Sequence, residues 1–416
     1  MSKIIPLRAL RPKPEFAAKV AALPYDVMNT DEAREMSKDN PLCFLNITRS
    51  EINLPDGADP YADEVYNLAA EYLKKLEMDG VLMREDKPCY YIYAQTMGGR
   101  TQTGIVAGAS IDEYFDGRIK KHELTREAKE VDRIRHMEAT NANTGLIFLA
   151  HKPEPEITAL IKWWTERNEP EISFTPDDGV THSVWVVTCD GVIAELRSLF
   201  EKLNALYIAD GHHRNASAAK VAQKKRAANP NYTGEEDFNY YMAAIFSSDE
   251  LMIMDYNRII SDLNGHSTEG FLAKVGEKFS VSPRTSTTPI KPRERHVFGM
   301  YINKEWYEIT IKPEYVDEAD PVARLDCDIL QKHLLAPILG IEDVRTNPNI
   351  EFAGGLRGLD YLAEQVEEQG GKGVAFALFP TSMDELIDIA DSGQIMPPKS
   401  TWFEPKLRSG LFVHTL

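Results

Sequence analysis

The stretch LYIADGHHRNASAA, residues 206–219, constrains this chain most, because a strand has to become a helix inside it. Residues 206–209 are apolar and suit a buried strand, and Asp210-Gly211 suits a tight turn. Ala216, Ala219 and Ala222 then recur at helical spacing until Asn229-Pro230 ends the pattern. At such a junction the N–H groups of the first helical turn have no partner within the helix, and the helix dipole favours an anion in front of them. Gly211 permits close backbone approach, and Arg214 brings a planar fork suited to phosphate. His212 and His213 donate hydrogen bonds or move protons near neutral pH. The five residues together predict a phosphate site. Singly, each has a plainer account: Asp210 as a helix cap, the histidines as satisfied polar residues, Arg214 as a surface ion pair. A metal site of Asp210, His212 and His213 is disfavoured, since adjacent residues at a helix start diverge by about 100°.

Strands and helices alternate around this junction, which predicts an α/β fold with mixed sheets. CYYIYAQT and TGIVAGASI flank Met97-Gly98-Gly99-Arg100 and read as a hairpin. Helices are expected at 61–79, from about Thr125 to 138, at 154–168 and at 193–204, with SVWVVTC as a strand. YYMAAIF and LMIMDYNRII read as further strands, and HVFGMYI with WYEITI as a second hairpin. A helix is expected at about 326–339. A chain of 416 residues exceeds one ordinary core. The Pro-, Ser- and Thr-rich segment 281–294 is the expected linker. It divides the chain into 1–285, carrying the DGHHR phosphate site, and a smaller α/β domain, 286–416.

Charge and cysteine content restrict the partners. With 47 basic and 65 acidic residues the net charge is −18, which opposes generic nucleic-acid binding. Cys43, Cys89, Cys189 and Cys327 form no CxxC pair, as expected for a reducing compartment without a structural zinc. No run of eighteen apolar residues and no signal peptide is seen, so a cytoplasmic protein away from membranes is expected, acting on a small-molecule substrate. The long hydrophobic strands are compatible with a homodimer.

Three other stretches carry candidate chemistry. In LPYDVM, Tyr25 reads as a cleft-wall aromatic and Asp26 as a helix cap or a catalytic carboxylate. In HELT and the helix after it, Glu123 is either a solvent-exposed acid or a general base, and Thr125 is a plain helix cap. Lys129, Asp132 and Arg133 form either an outer ion-pair network or an extension of the phosphate site. In MPPKST, Lys399, Ser400 and Thr401 either hold a phosphate or carboxylate or make an ordinary turn over Trp402 and Phe403.

Strand, ADGHHR, helix resembles the signature box of the ParB/sulfiredoxin-like superfamily. The fuller string resembles a bacterial and archaeal family of unknown function, matched further by LPYDVM, HELT with Asp132-Arg133, LDCDIL at 325–330, and MPPKSTWFEPK with SGL. The resemblance implies a ParB/sulfiredoxin-like core around DGHHR, with the MPPKST tail completing the cleft. Sulfiredoxins place a cysteine where this chain has His212, so sulfinic-acid reduction is excluded. ParB proteins add a basic helix-turn-helix that is not found here, which leaves a ParB-type nuclease as the third reading. Free serine kinases share the DGHHR spelling. That likeness implies phosphoryl transfer to or from a small hydroxy amino acid, as serine kinase or phosphoserine-directed phosphatase, with ATP, ADP or pyrophosphate as donor and magnesium as its companion. Gly211, His212, His213 and Arg214 would then hold phosphates, with Asp210 orienting a histidine or a magnesium-bound water. The N-terminal glutamate base of those kinases has no clear match, and Glu123 or Asp26 is the substitute. A non-catalytic regulator binding a nucleotide or phosphometabolite is the alternative from another class.

Overall fold

In the computed structural model, residues 2–416 are described, with backbone alone for residues 283–285. The chain forms two compact units, Met1–Leu251 with Pro405–Leu416, and Met252–Glu404. The division thus differs from the expected one at 285/286, which falls within a strand of the second unit, Phe279–Ser286. Pro283 lies in a register shift of that strand between Val281 and Thr285, where a residue without an N–H is tolerated.

The first unit is built on a nine-stranded mixed sheet: β1 (Ile4–Ile5), β2 (Tyr90–Met97), β3 (Arg100–Ser110), β4 (Ile119–Lys120), β5 (Ile147–His151), β6 (Ile172–Phe174), β7 (Thr181–Val187), β8 (Leu206–Asp210) and β9 (Tyr240–Ser247). The order is β4-β8-β5-β9-β3-β2-β7-β6, with β1 beside β3. β8 runs parallel to β4, and β5 parallel to β9; the other pairings are antiparallel. The expected β2–β3 hairpin is present, with Met97 opposite Arg100. Gly98 and Gly99 have φ of +58° and +81°, the left-handed pair that a two-residue hairpin turn requires.

The longer helices of this unit are α1 (Thr30–Ser37), α2 (Asp63–Met78), α3 (Glu127–Thr140), α4 (Pro155–Thr165), α5 (Asp190–Glu201) and α6 (His212–Ala228). Asn29 caps α1 in a reciprocal box with Glu32. α3 starts two residues later than the sequence suggests, because Thr125 turns its hydroxyl to Glu130 instead of capping the helix. Ile134 and Met137 of α3, Ile157 and Ile161 of α4, Leu196 and Phe200 of α5, and Ala218 and Ala222 of α6 share one core with the sheet strands. The alanines of α6 let α3 come close enough for Ser217 Oγ to donate to the Glu130 carbonyl at 3.1 Å. A second core gathers Val20, Phe44 and Ile47 with Leu73 and Leu76 of α2 and with Val413.

The second unit has a six-stranded sheet of β10 (Tyr256–Ile260), β11 (Phe279–Ser286), β12 (Val297–Ile302), β13 (Glu305–Ile311), β14 (Ile350–Gly354) and β15 (Val374–Ala377), in the order β11-β13-β12-β15-β10-β14. The expected hairpin turns at Asn303-Lys304, both with positive φ. The helix expected at 326–339 is helical from Asp326 to Leu330 and continues as a wider turn over Gln331–Leu335.

Candidate functional site

β8 ends in a bulge between Ile208 and Asp210, and the next residue reverses the chain into α6. That residue, Gly211, has φ +94° and ψ 31°, and its N–H donates to Asp210 Oδ1 at 2.7 Å. A Cβ at Gly211 would lie 3.2 Å from Cζ and Nε of Arg214. The backbone angle favours glycine, and a Cβ there would press the guanidinium aside. Gly211→Ala is therefore expected to lower stability by about 1–3 kcal/mol and to shift the guanidinium, read as a fall in the thermal midpoint together with weaker anion binding. An unchanged melt and unchanged binding would show that the turn tolerates a side chain.

Arg214 is the centre of the site. Its side chain is only 10% exposed. Nη1 donates to the Leu146 carbonyl, Nη2 lies 3.9 Å from Asp210 Oδ1, and Nε is buried with no partner. Burial opposes its charge, yet Asp26 and Asp210 more than compensate and raise its pKa. It lines a pocket together with Tyr25, Arg133, Asn143, Thr144 and Ser409. The Arg133 guanidinium lies 4.0 Å above the centre of the Tyr25 ring and is held by Asp132, at 2.7 Å from Nε and 2.6 Å from Nη2. Asp132 also accepts the Tyr66 hydroxyl at 2.8 Å. Burial pushes the Tyr25 phenol up to about 12, so the phenol stays protonated. The PYD turn is tied down by Arg49, which donates to the carbonyls of Tyr25 and Met28 at 3.1 and 3.2 Å. The enclosed part of the pocket is small, about 20 Å³. That is room for a water or two, so a phosphate has to displace solvent and side chains to enter.

Asp210 is 34% exposed and faces a second cation, Lys406, whose Nζ is 3.6 Å from Oδ2. Burial alone would raise its pKa, but Lys406 and Arg214 hold the carboxyl at about 2, so it is ionised across the physiological range. Lys406 and Ser409 belong to the C-terminal segment, which returns to this unit by pairing Ser409 with Ala22 and Val413 with Leu10.

The two imidazoles turn to the other side of the junction. His212 is buried, accepts the His122 N–H at Nε2 over 3.4 Å, and has Nδ1 3.7 Å from Glu123 Oε2. The rings of His122 and His212 meet edge-on at 4.4 Å. His213 accepts the Arg126 N–H at Nε2, at 3.0 Å. Burial, reinforced by His122, takes His212 well below the usual histidine value; burial with Lys129 and Arg126 lowers His213. Both are therefore neutral with Nε2 engaged, which places the proton on Nδ1. They fasten the 121–126 loop, and neither lines the pocket. Asp26 is exposed, and its charge raises the pKa of both His213 and Arg214.

Lys399, Ser400 and Thr401 lie in the second unit. Lys399 has a left-handed φ of +62°, its carbonyl accepts Arg258 Nη2 at 2.9 Å, and its ammonium stands 5.7 Å over the Tyr256 ring. Ser400 Oγ donates to the Pro397 carbonyl at 2.6 Å and lies 3.0 Å from Cys327 Sγ. These contacts make a turn. Sequence reasoning missed Lys406, Ser409, Asn143, Thr144 and Arg49. Lys406 and Ser409 stood within the FEPK and SGL strings but carried no local sign of what they would face.

Among the described residues, no group of three or more His, Cys, Asp and Glu side chains is disposed to hold a metal ion. Asp210 faces two cations and an N–H, so a magnesium ion here would depend largely on the phosphates of its own nucleotide. No helix of the described residues is long and apolar enough to cross a membrane.

The model of one protein family, described as Protein of unknown function (DUF1015), matches residues 4–328. The chain belongs to that family. The comparison with curated proteins found no match. Among solved structures, this DUF1015 chain is similar to a free serine kinase variant in complex with AMP, at 13% identity, a TM-score of 0.34, and 72% of this chain and 87% of that one covered. It is also similar to SbnI with a C-terminal truncation from Staphylococcus aureus, at 10% identity and a TM-score of 0.37, covering 73% and 85%. A third is a conserved hypothetical protein from Pyrococcus furiosus, at 13% and 0.32, covering 72% and 90%.

Proposed function

We propose that this protein binds phosphate groups at Arg214 and transfers a phosphoryl group to or from a small hydroxy amino acid, serine before others, with ATP, ADP or pyrophosphate as donor. One observation carries the reading. A buried arginine, whose Nε–H makes no hydrogen bond, lines a pocket that it shares with a second arginine, Arg133, and with Thr144 and Ser409. Phosphate oxygens supply the acceptors that such a set lacks. The choice of amino acid rests on the spelling of residues 209–214, shared with free serine kinases, and so does the proposed ParB/sulfiredoxin-like core.

In the kinase direction, Asp26 takes the proton of the serine hydroxyl, the oxygen attacks the terminal phosphorus, and the donor leaves one phosphate shorter. Arg214, Arg133 and Lys406 carry the charge that spreads over the phosphoryl oxygens. Glu123, turned toward His212, is the other candidate base. Asp26→Asn is expected to lower kcat by about 10²–10⁴ with little change in KM. A phosphorus NMR assay tests the reading by offering serine or phosphoserine with ATP, ADP and pyrophosphate in turn. Binding of ADP without transfer in any combination would replace the enzyme by a phosphometabolite-binding regulator. The engaged, neutral imidazoles favour that second reading.

A further inference from the structure

We propose that the first unit carries a second small-molecule site at the far end of β5, shaped for an aliphatic α-amino acid in its zwitterionic form. Arg214 meets the chain at Leu146, just before β5; His151 ends the strand five residues on, about 16 Å away at strand rise. A separate cavity of about 190 Å³ opens there. It suits a small metabolite better than the larger ligands that occupy roughly 300–1,000 Å³ pockets. The proposal does not rest on the reading of the Arg214 pocket.

Three isoleucines, Ile157 and Ile161 from α4 and Ile245 from β9, give the cavity an apolar wall. At one side is Glu250, whose Oε2 accepts the Thr103 N–H at 2.6 Å. No cation pairs with this carboxylate among the described residues. The neighbouring Arg100 donates instead to the Glu250 and Leu251 carbonyls, at 2.9 and 3.1 Å. At the rim stands Lys162, largely exposed, whose ammonium is 3.8 Å from Glu166. Three other polar groups of the lining are engaged: His151 Nδ1 bonds the Lys152 carbonyl at 2.7 Å, Ser247 Oγ donates to Asp249 at 2.5 Å, and Thr165 Oγ1 donates to the Lys162 carbonyl at 3.1 Å. An inner carboxylate, an outer ammonium and an apolar wall complement a ligand with an ammonium, a carboxylate and a branched hydrocarbon side chain. Burial raises the Glu250 pKa, and a bound ammonium would relieve that penalty.

Titration calorimetry of the full chain tests this with L-leucine, 3-methylbutylamine and 4-methylpentanoate, the last two lacking one charge each. Leucine is expected to bind wild type at millimolar concentration or better, and each analogue at least about tenfold more weakly. Thr158→Trp, at an exposed helical position on the rim, should abolish binding without changing the melt, and Glu250→Gln should weaken it about tenfold. Arg214→Ala should leave leucine binding in place. No leucine binding by wild type, analogues that bind as tightly as leucine, retention in both Thr158→Trp and Ile161→Trp, or loss in Arg214→Ala would each overturn the proposal.

Discussion

Arg214→Ala is expected to weaken ADP and pyrophosphate binding by at least about 100-fold, near 2.7 kcal/mol, and to reduce any phosphoryl transfer in proportion. Truncating a buried charge that hydrogen-bonds a ligand removes roughly 2–5 kcal/mol. Here the lost group also bridges the Leu146 carbonyl and the side of Asp210. Arg214→Lys should recover little, because an ammonium cannot span both directions of the fork. Among the described residues Asp210 would keep only Lys406 as a cation within ion-pair distance, and its carboxyl would rise from about 2. Near-UV circular dichroism of both variants separates a misfolded chain from a folded one that no longer binds. A folded Arg214→Ala protein that bound ADP as wild type does would remove the basis of the proposed function.

Acid should destabilise the two units differently. In the first unit, burial lowers His122 and His136 to about 4 and His182 to about 3. His182 sits between the Tyr93 hydroxyl, 2.7 Å from Nδ1, and Arg408, whose Nε donates to Nε2 at 3.3 Å, while His136 bonds the Ile47 carbonyl at 2.9 Å. An unfolded histidine takes up its proton near pH 6.5, whereas these remain neutral in the fold. The stability they confer is complete above pH 6.5 and is lost as the pH falls toward 4, about 1.4 kcal/mol per unit for each and so about 4 for the three. Glu113 and Glu250, raised by burial, offset part of this. Asp210 adds a lower window, since its depressed pKa gives stability that disappears only between about pH 4 and 2. In the second unit burial raises Asp326 to about 7, which adds stability as the pH falls from 7 toward 4 and works against the loss from His333, a less buried histidine lowered by burial. Hydrogen exchange followed by mass spectrometry at pH 7 and pH 5.5, corrected for intrinsic rates, should show protection falling in peptides of the first unit and holding in those of the second. Equal loss in both would contradict this.

Where one short stretch carries both the constraint and the answer, the sequence was legible. Gly98-Gly99 dictated the hairpin, and the run from Asp210 to the alanines of α6 dictated the strand-to-helix junction. Elements were less readable where tertiary packing chooses between two sides. His212 and His213 could have turned to the pocket, but the loop before α3 presents N–H groups to both rings, and burial keeps them neutral. Arg133 and Tyr25 stood in two separate motifs, and nothing local states that one stacks on the other. Asp210 and Lys406 are far apart in the chain, so their ion pair could not be read from spacing.

The route of the chain also bears on how the protein is made. It leaves the first unit at Leu251, builds the 252–404 unit, and comes back for residues 405–416. During synthesis the large sheet emerges early, while Leu411, Phe412 and Val413, all fully buried, and the ammonium facing Asp210 emerge only after the 252–404 unit. Until then the nascent first unit exposes the surface those residues will cover, and this is the interval in which it is most open to a chaperone or to aggregation.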